Sequence, residues 1–135
     1  MKIKTIFILS ILLTTLTTLS QTKSILPPIN GTFCGKVGPD DPKPYVTYSV
    51  EELSNCDWKI SALDTNYIVT HFKMSLVPKD HSYKYSELEI NSNSIPEKFR
   101  NQILSHTRVI LLEFITAKNQ KSESRLVKPI GVKIQ

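Results

Sequence analysis

The sequence predicts a mainly β protein, a single β-sandwich-like domain of about six strands with one or two short helices. Residues 66–78, NYIVTHFKMSLVP, alternate apolar and polar side chains with the period of a half-buried strand. Residues 108–134 contain an apolar run, a polar turn and a second apolar run, which is the pattern of a hairpin. Between these segments, Ile95, Phe99 and Ile103 recur at helical spacing and form one apolar stripe.

The first 20 residues are predicted to be a secretory signal peptide. Lys2 and Lys4 precede an apolar run, and the small residues Thr18 and Ser20 fit a cleavage site before Gln21. The alternative is a membrane anchor, but threonines interrupt the run and it is short for a span. We therefore expect an exported protein, periplasmic or extracellular, with no membrane span after cleavage.

The charge of the chain argues against one class of partner. The chain has 135 residues, enough for one domain, and a formal net charge of +5. Cleavage would remove Lys2 and Lys4 and leave 15 basic residues against 12 acidic ones. These charges are spread along the chain, whereas a nucleic-acid-binding protein shows a dense basic patch. We therefore expect no nucleic-acid partner.

Cys34 and Cys56 are the two cysteines of the chain. In an exported protein such a pair predicts one disulfide. Two free thiols are the alternative, and a metal site would need more ligands than the neighbouring carboxylates supply. We therefore expect the disulfide and no metal. The four glycines form no phosphate-binding loop, so we also expect no cofactor.

The segments before the first long strand are short and rich in turn residues. Residues 21–32 contain prolines, a glycine and small polar residues, and they form a linker or an edge segment. Residues 37–44 form a loop with three prolines. Residues 45–50 form a short strand or lead into a helical turn, for which Ser49 and Glu52 fit a capping box.

Three segments in the middle of the chain are predicted strands. Residues 56–63 show the alternation of a half-buried strand. Residues 85–92 form another, in which Glu87 and Glu89 share one face, as is typical of a solvated face. In the strand at 66–78, one face is predicted to carry Ile68, Phe72, Met74 and Leu76, and the other Val69, His71, Lys73 and Ser75.

A helix and a closing hairpin are predicted to follow. Ser94 and Glu97 fit a capping box, and Pro96 fits the first helical turn, where its missing N–H costs nothing. Residues 108–117 are apolar on both faces and predict a central strand covered on both sides. Because Pro129 cannot donate a hydrogen bond, the return strand is expected to lie at an edge or to break there.

No catalytic residue is predicted. His71, His81 and His106 are the three histidines, and none is paired at the spacing of a metal site. Asp80, His81 and Ser82 are adjacent in one loop, whereas a catalytic triad needs side chains that converge from separate segments.

Two segments are candidate protein interfaces. Tyr83 and Tyr85 lie among lysines in a predicted loop, and tyrosine is favoured at interfaces. An ordinary surface loop is the alternative. Arg125, Lys128 and Pro129 belong to the return strand, whose edge can accept a strand of another protein.

Four stretches carry a resemblance to a known family. They are IVTHFKMSLV, NSNSIPEKFRNQI, HTRVILLEFITAKNQ and RLVKPIGVKI. In this order they resemble a strand, a turn with a short helix, a long strand and the closing strand of the C-terminal domain of GldM. GldM is a gliding-motility and type IX secretion protein of Bacteroidetes. The resemblance covers residues 33–135, although Cys34 and Cys56 are not part of the family pattern.

The resemblance implies a non-enzymatic exported module that binds another envelope protein and is associated with gliding motility or type IX secretion. The alternative is a small disulfide-linked β-sandwich that acts as a secreted enzyme or enzyme inhibitor. An enzyme needs titratable groups gathered in a concave pocket. A histidine that converges with a carboxylate in a cleft would therefore favour the alternative.

Overall fold

The computed structural model describes residues 26–39, 45–81 and 83–135. The predicted signal peptide at 1–20 and most of the loop predicted at 37–44 lie outside the described residues.

The described residues form nine strands and two helices, so the prediction of a mainly β fold is confirmed. The strands are β1 (Gly31–Phe33), β2 (Lys36–Val37), β3 (Val46–Tyr48), β4 (Ile60–Ala62), β5 (Ile68–Pro78), β6 (Ser86–Ile90), β7 (Thr107–Lys118), β8 (Ser124–Val127) and β9 (Ile130–Ile134). The helices are α1 (Val50–Ser54) and α2 (Glu97–His106). Neither of these two helices is long and apolar enough to cross a membrane.

The strands are arranged in a large sheet and a small one. The large sheet has six strands in the order β3-β9-β7-β5-β6, with β8 paired to β7 beyond the end of β9. The small sheet has the order β2-β1-β4. The pairing of β3 with β9 is parallel, and the other pairings in both sheets are antiparallel. β7 is the central strand, as predicted.

One hydrophobic core joins the two sheets and α2. The ring of Phe33 meets the rings of Tyr48 and Trp58 edge to face, at centroid distances of 5.8 and 6.1 Å. A Cβ atom added at Gly31 would lie 2.5 Å from Val127, so β1 reaches β8 only because residue 31 has no side chain. The small sheet is thereby held against the large one.

The predicted N-cap of the first helix is confirmed, and that of the second is wrong. For α1, the backbone N–H of Glu52 donates to Ser49 Oγ at 3.0 Å, as a capping box requires. The Glu52 carboxylate instead pairs with Lys36 Nζ at 2.8 Å, so half of the box forms. For α2, the capping box of Ser94 was wrong. The N-cap is Pro96, and Ser94 pairs with Lys59 in an isolated antiparallel β-bridge.

The predicted faces of β5 were wrong at its first residues. Val69 and Phe72 are both buried, whereas Ile68 is 63% exposed. The pairing of β5 with β7 shifts register on both sides of His71. A bulge of this kind reverses the alternation of side chains, because one strand gains a residue that the other lacks.

β7 contains the matching irregularity. Phe114 has φ of 49° and its side chain is 64% exposed. Val109 and Ile110 are neighbours in sequence and both are buried, so the first half of β7 is covered on both faces. The prediction that residues 108–117 are buried on both faces is therefore wrong at Phe114, because the bulge turns this ring outward.

The return strand breaks at Pro129, as predicted, into β8 and β9. The outer side of β8 is already occupied. The N–H of Ile29 donates to the carbonyl of Leu126 at 2.9 Å, and the N–H of Lys128 donates to the carbonyl of Ile29 at 2.8 Å. Residues 21–32 were predicted to be a linker or an edge segment, and the pairing of Ile29 with β8 fits the edge segment.

Cys34 and Cys56 form a disulfide, which confirms the predicted bond. It links the turn between β1 and β2 to the chain that follows α1. Both sulfurs belong to residues that pack against the hydrophobic core.

Candidate protein-binding edge

β6 is an end strand of the large sheet. It pairs with β5 on one side, and no other strand of the described chain pairs with it on the other. A strand with one unpaired side presents backbone N–H and C=O groups to solvent, and these can pair with another chain. The opposite end of the large sheet is β3, which is three residues long.

The two faces of β6 have different chemistry. Leu88 and Ile90 lie opposite Met74 and Phe72 of β5 and belong to the core side. Glu87 and Glu89 are exposed on the outer face. Alternation with a period of two residues places every second side chain on the same face. The predicted solvated face therefore lies along the open edge of the sheet.

Glu87 is held by two donors. Lys73 Nζ lies 3.1 Å from Glu87 Oε2, and the hydroxyl of Tyr85 donates to Glu87 Oε1 at 3.0 Å. The hydrogen bond from Lys73, and after it the one from Tyr85, lowers the pKa of the Glu87 carboxyl. The same bond to Glu87, together with the charge of Glu113, raises the pKa of Lys73. Glu87 is thus a fixed carboxylate at the edge.

Lys73 is surrounded by more negative charge than it neutralises. On the outer face it lies directly opposite Glu89 of β6 and directly opposite Glu113 of β7. With Glu87, three glutamates are neighbours of Lys73 in the sheet, and Glu87 forms the ion pair with it. The outer face beside β6 therefore carries an excess of negative charge, although the chain as a whole is basic.

Phe114 forms the far side of an open groove on this face. The groove is lined by Lys73, Glu87, Leu88, Glu89 and Phe114. Lys73 Nζ lies 5.7 Å from the centroid of the Phe114 ring. We call this set of residues the acidic groove. It combines an aromatic surface with two carboxylates along the free strand.

Ser75 lies in the same face of the sheet, directly opposite Glu87. Its side chain is 1% exposed, and its Oγ has no hydrogen-bond partner within the described residues. A buried hydroxyl without a partner destabilises a protein.

The predicted tyrosines lie at the start of the free edge. Tyr83 is 44% exposed, and its ring stacks on His106 with centroids 4.1 Å apart. Tyr85 is 52% exposed and precedes β6. Both rings therefore stand beside the strand that is open to a partner. Their role in binding stays a prediction.

The second predicted interface has a different environment. The guanidinium of Arg125 donates to the carbonyl of Pro27 at 2.8 Å and lies 5.7 Å from the ring centroid of Tyr67. Lys128 and Pro129 are exposed. Because Ile29 fills the edge at this position, the backbone of the return strand is not open there, and Arg125 holds the N-terminal segment in place.

The histidines make separate contacts. His71 Nδ1 lies 2.7 Å from Asn91 Oδ1, and His106 stacks on Tyr83. Within the described ranges, one group of three potential metal ligands occurs, namely Cys34, Cys56 and Asp57. Its two sulfurs are joined in the disulfide. In the loop with Asp80 and His81, Ser82 lies outside the described residues.

Sequence reasoning missed the residues that complete the acidic groove. Lys73 and Phe114 lie on different strands, far apart in sequence, and no local pattern joins them. The alternate positions of Glu87 and Glu89 in the sequence predict an exposed strand face. Their position at an open edge depends on the order of strands, which the local pattern does not contain.

No protein-family model matches this chain, and no curated protein sequence matches it.

Proposed function

We propose that this chain is a non-enzymatic exported module that binds an extended segment of another envelope protein by adding a strand at β6. We propose further that it is related to the C-terminal domain of GldM and is associated with gliding motility or type IX secretion. The second proposal is supported by the sequence resemblance, and the first by the geometry of the edge.

The unpaired side of β6 is the observation that carries the proposal. β6 gives five extended residues, Ser86–Ile90, at the end of a six-stranded sheet. In strand addition, hydrogen bonds from the main chain supply affinity, and alternate side chains supply specificity. The described part of the chain has no element that covers this side of β6.

The surroundings of β6 are suited to a protein partner. Tyr83 and Tyr85 are large and exposed, and they lie next to the edge. Aromatic side chains are enriched in protein interfaces because they bury a large area with few rotatable bonds. Leu88 is partly buried and gives the added strand an apolar neighbour on the core side.

The disulfide supports the exported part of the proposal. Bonds between cysteines persist in oxidising compartments such as the periplasm and the extracellular space. The bond between Cys34 and Cys56 is thus the state expected of a protein that leaves the cytoplasm.

Site-specific photo-crosslinking in cells that express the full chain tests the proposal. A photoreactive amino acid at Tyr85 is expected to capture one envelope protein, identified by mass spectrometry. The same amino acid at Leu63 is the matched control, because Leu63 is 48% exposed and follows β4 of the small sheet.

Capture at Tyr85 but not at Leu63 would support the binding edge. If the captured protein belonged to the gliding or secretion machinery, the link to GldM would gain support. Capture of a secreted hydrolase would instead favour the inhibitor alternative. No capture at Tyr85, or equal capture at both positions, would contradict a partner at β6.

A further inference from the structure

We propose that the acidic groove selects a partner strand with lysine or arginine at alternate positions and an aliphatic residue between them. This inference rests on the proposed function, since it names the chemistry of the segment that β6 accepts. The partner is therefore expected to be a protein with a basic extended segment.

The spacing of Glu87 and Glu89 sets the spacing of the basic residues. Both carboxylates lie on the outer face of β6, and Leu88 separates them in the sequence. In a strand added at this edge, the side chains on the same face also recur at every second residue. Directly opposite side chains approach to about 5 Å between Cβ atoms, and opposite charges at such positions attract.

The two carboxylates differ in how free they are. Glu87 already accepts hydrogen bonds from Lys73 and Tyr85. Glu89 forms no ion pair among the described residues, although it lies directly opposite Lys73. Because Lys73 points its ammonium group at Glu87, Glu89 is the carboxylate with most to gain from a basic side chain of the partner.

Phe114 gives the groove a second means of binding a cation. Its ring is 64% exposed and lines the groove opposite the carboxylates. A cation within about 6 Å of an aromatic centroid is attracted by the electrons of the ring, and arginine makes this contact most often. Its left-handed backbone, with φ of 49°, holds the ring on the outer surface of the sheet.

The hydroxyl of Ser75 lies close to the acidic groove but does not line it. It is buried beside Glu87, and the described chain gives its Oγ no partner. Buried hydroxyl groups almost always have a hydrogen-bond partner. Because this Oγ is enclosed by the protein, a basic side chain of the partner is expected to contact the carboxylates and Phe114 rather than Ser75.

Three short peptides test the inference on the protein purified from cells that export the full chain. One peptide alternates lysine with valine, the second glutamine with valine, and the third glutamate with valine. Binding is measured from NMR shifts of the backbone amides. The lysine peptide is expected to shift the amides of Ser86–Ile90 and to bind at least about three-fold more tightly than the glutamine peptide.

Variants of the protein locate the effect. Glu89→Gln is expected to weaken binding of the lysine peptide about three-fold, and the double variant Glu87→Gln and Glu89→Gln about ten-fold. Glu51→Gln on α1 is the matched control and should leave binding unchanged, because Glu51 is an exposed glutamate on the helix that follows β3, at the opposite end of the large sheet. Higher salt should weaken the lysine peptide but not the glutamine peptide.

The outcomes separate this inference from the proposed function. If all three peptides shifted Ser86–Ile90 with equal affinity, the binding edge would stand and the preference for basic residues would be overturned. If the lysine peptide bound elsewhere, or bound the double variant as tightly as the unaltered protein, the acidic groove would be excluded as its site. Binding of no peptide at β6 would overturn both ideas.

Discussion

At the scale of single residues, Tyr48 shows how burial changes ionisation. Its side chain is 2% exposed, and its hydroxyl donates to the backbone carbonyl of Phe33. Burial, with a smaller effect of the negative charge of Glu52, raises the pKa of Tyr48 to about 12. The fold therefore favours the protonated phenol.

This shift predicts a pH dependence of stability. In the unfolded chain Tyr48 loses its proton near pH 10, whereas in the fold it keeps the proton until about pH 12. The unfolded state then binds fewer protons, so the free energy of unfolding falls as the pH rises from 10 to 12. Below pH 10 the contribution of Tyr48 is fully present.

Tyr48→Phe tests this account in urea unfolding experiments. At neutral pH the variant should be less stable by about 1–2 kcal/mol, because the carbonyl of Phe33 loses its donor. Between pH 10 and 12 the unaltered protein should lose more stability than the variant, so the gap should narrow. Parallel pH profiles would contradict the assigned shift.

Phe114 shows the opposite situation, an exposed ring on a strained backbone. Left-handed φ is unfavourable for residues with a Cβ atom and not for glycine. Phe114→Gly and Phe114→Ala both remove the ring, but only glycine relieves the backbone. The glycine variant should therefore be more stable than the alanine variant by about 1 kcal/mol in thermal or urea unfolding.

A glycine variant no more stable than the alanine variant would show that φ at residue 114 is not strained. A comparison with the unaltered protein adds a second readout. If the groove binds cations as proposed, both variants should bind the lysine peptide more weakly, whatever their stability.

At the scale of elements, the sequence predicted the strands better than their faces. The period of β5 and the apolar run of β7 identified both strands. The exposure of Ile68 and Phe114 was not predictable from these patterns. A bulge is a property of the pairing between two strands, and the residues that form it carry no distinct local composition here.

The open edge was also beyond the reach of local patterns. The return strand was predicted to lie at an edge or to break, because Pro129 cannot donate a hydrogen bond to a neighbouring strand. In the fold, Ile29 occupies the side of β8 and β3 occupies the side of β9. Both are long-range pairings. The tyrosine segment precedes β6, whose outer side no strand of the described residues pairs with, and its role in binding stays a prediction.

The disulfide makes a testable contribution at this scale. Cys34 and Cys56 are separated by 22 positions and tie the small sheet to the end of α1. In the chain-entropy treatment, a bond that closes a loop of this length stabilises the fold by about 3 kcal/mol. Reduction, or the variant with alanine at both positions, should lower the free energy of unfolding by that amount.

Urea unfolding with and without reductant measures this difference, and the alanine variant serves as the control that reductant should not affect. Equal stability of the oxidised and reduced protein would contradict the expected role. Acid trapping and alkylation of thiols in intact cells should find the bond formed, as expected for an exported protein.

At the scale of the whole molecule, the fold class and the site were predictable to different degrees. Composition and periodicity were enough for a β-rich domain with a disulfide. The acidic groove is assembled from β5, β6 and β7, and it exists only because the order of strands leaves β6 at the end. The relation to GldM stays a prediction, because a β-rich fold alone is common to many families.

Amide hydrogen exchange is the most direct measurement of the central claim, that β6 accepts a strand. The tagged full chain would be purified from cells together with bound envelope proteins, and compared with the protein stripped of them. In the complex, exchange in Ser86–Ile90 should slow by about ten-fold or more, with Ser124–Val127 unchanged as an internal control. Unchanged exchange in Ser86–Ile90, or slowing only in Ser124–Val127, would contradict the claim.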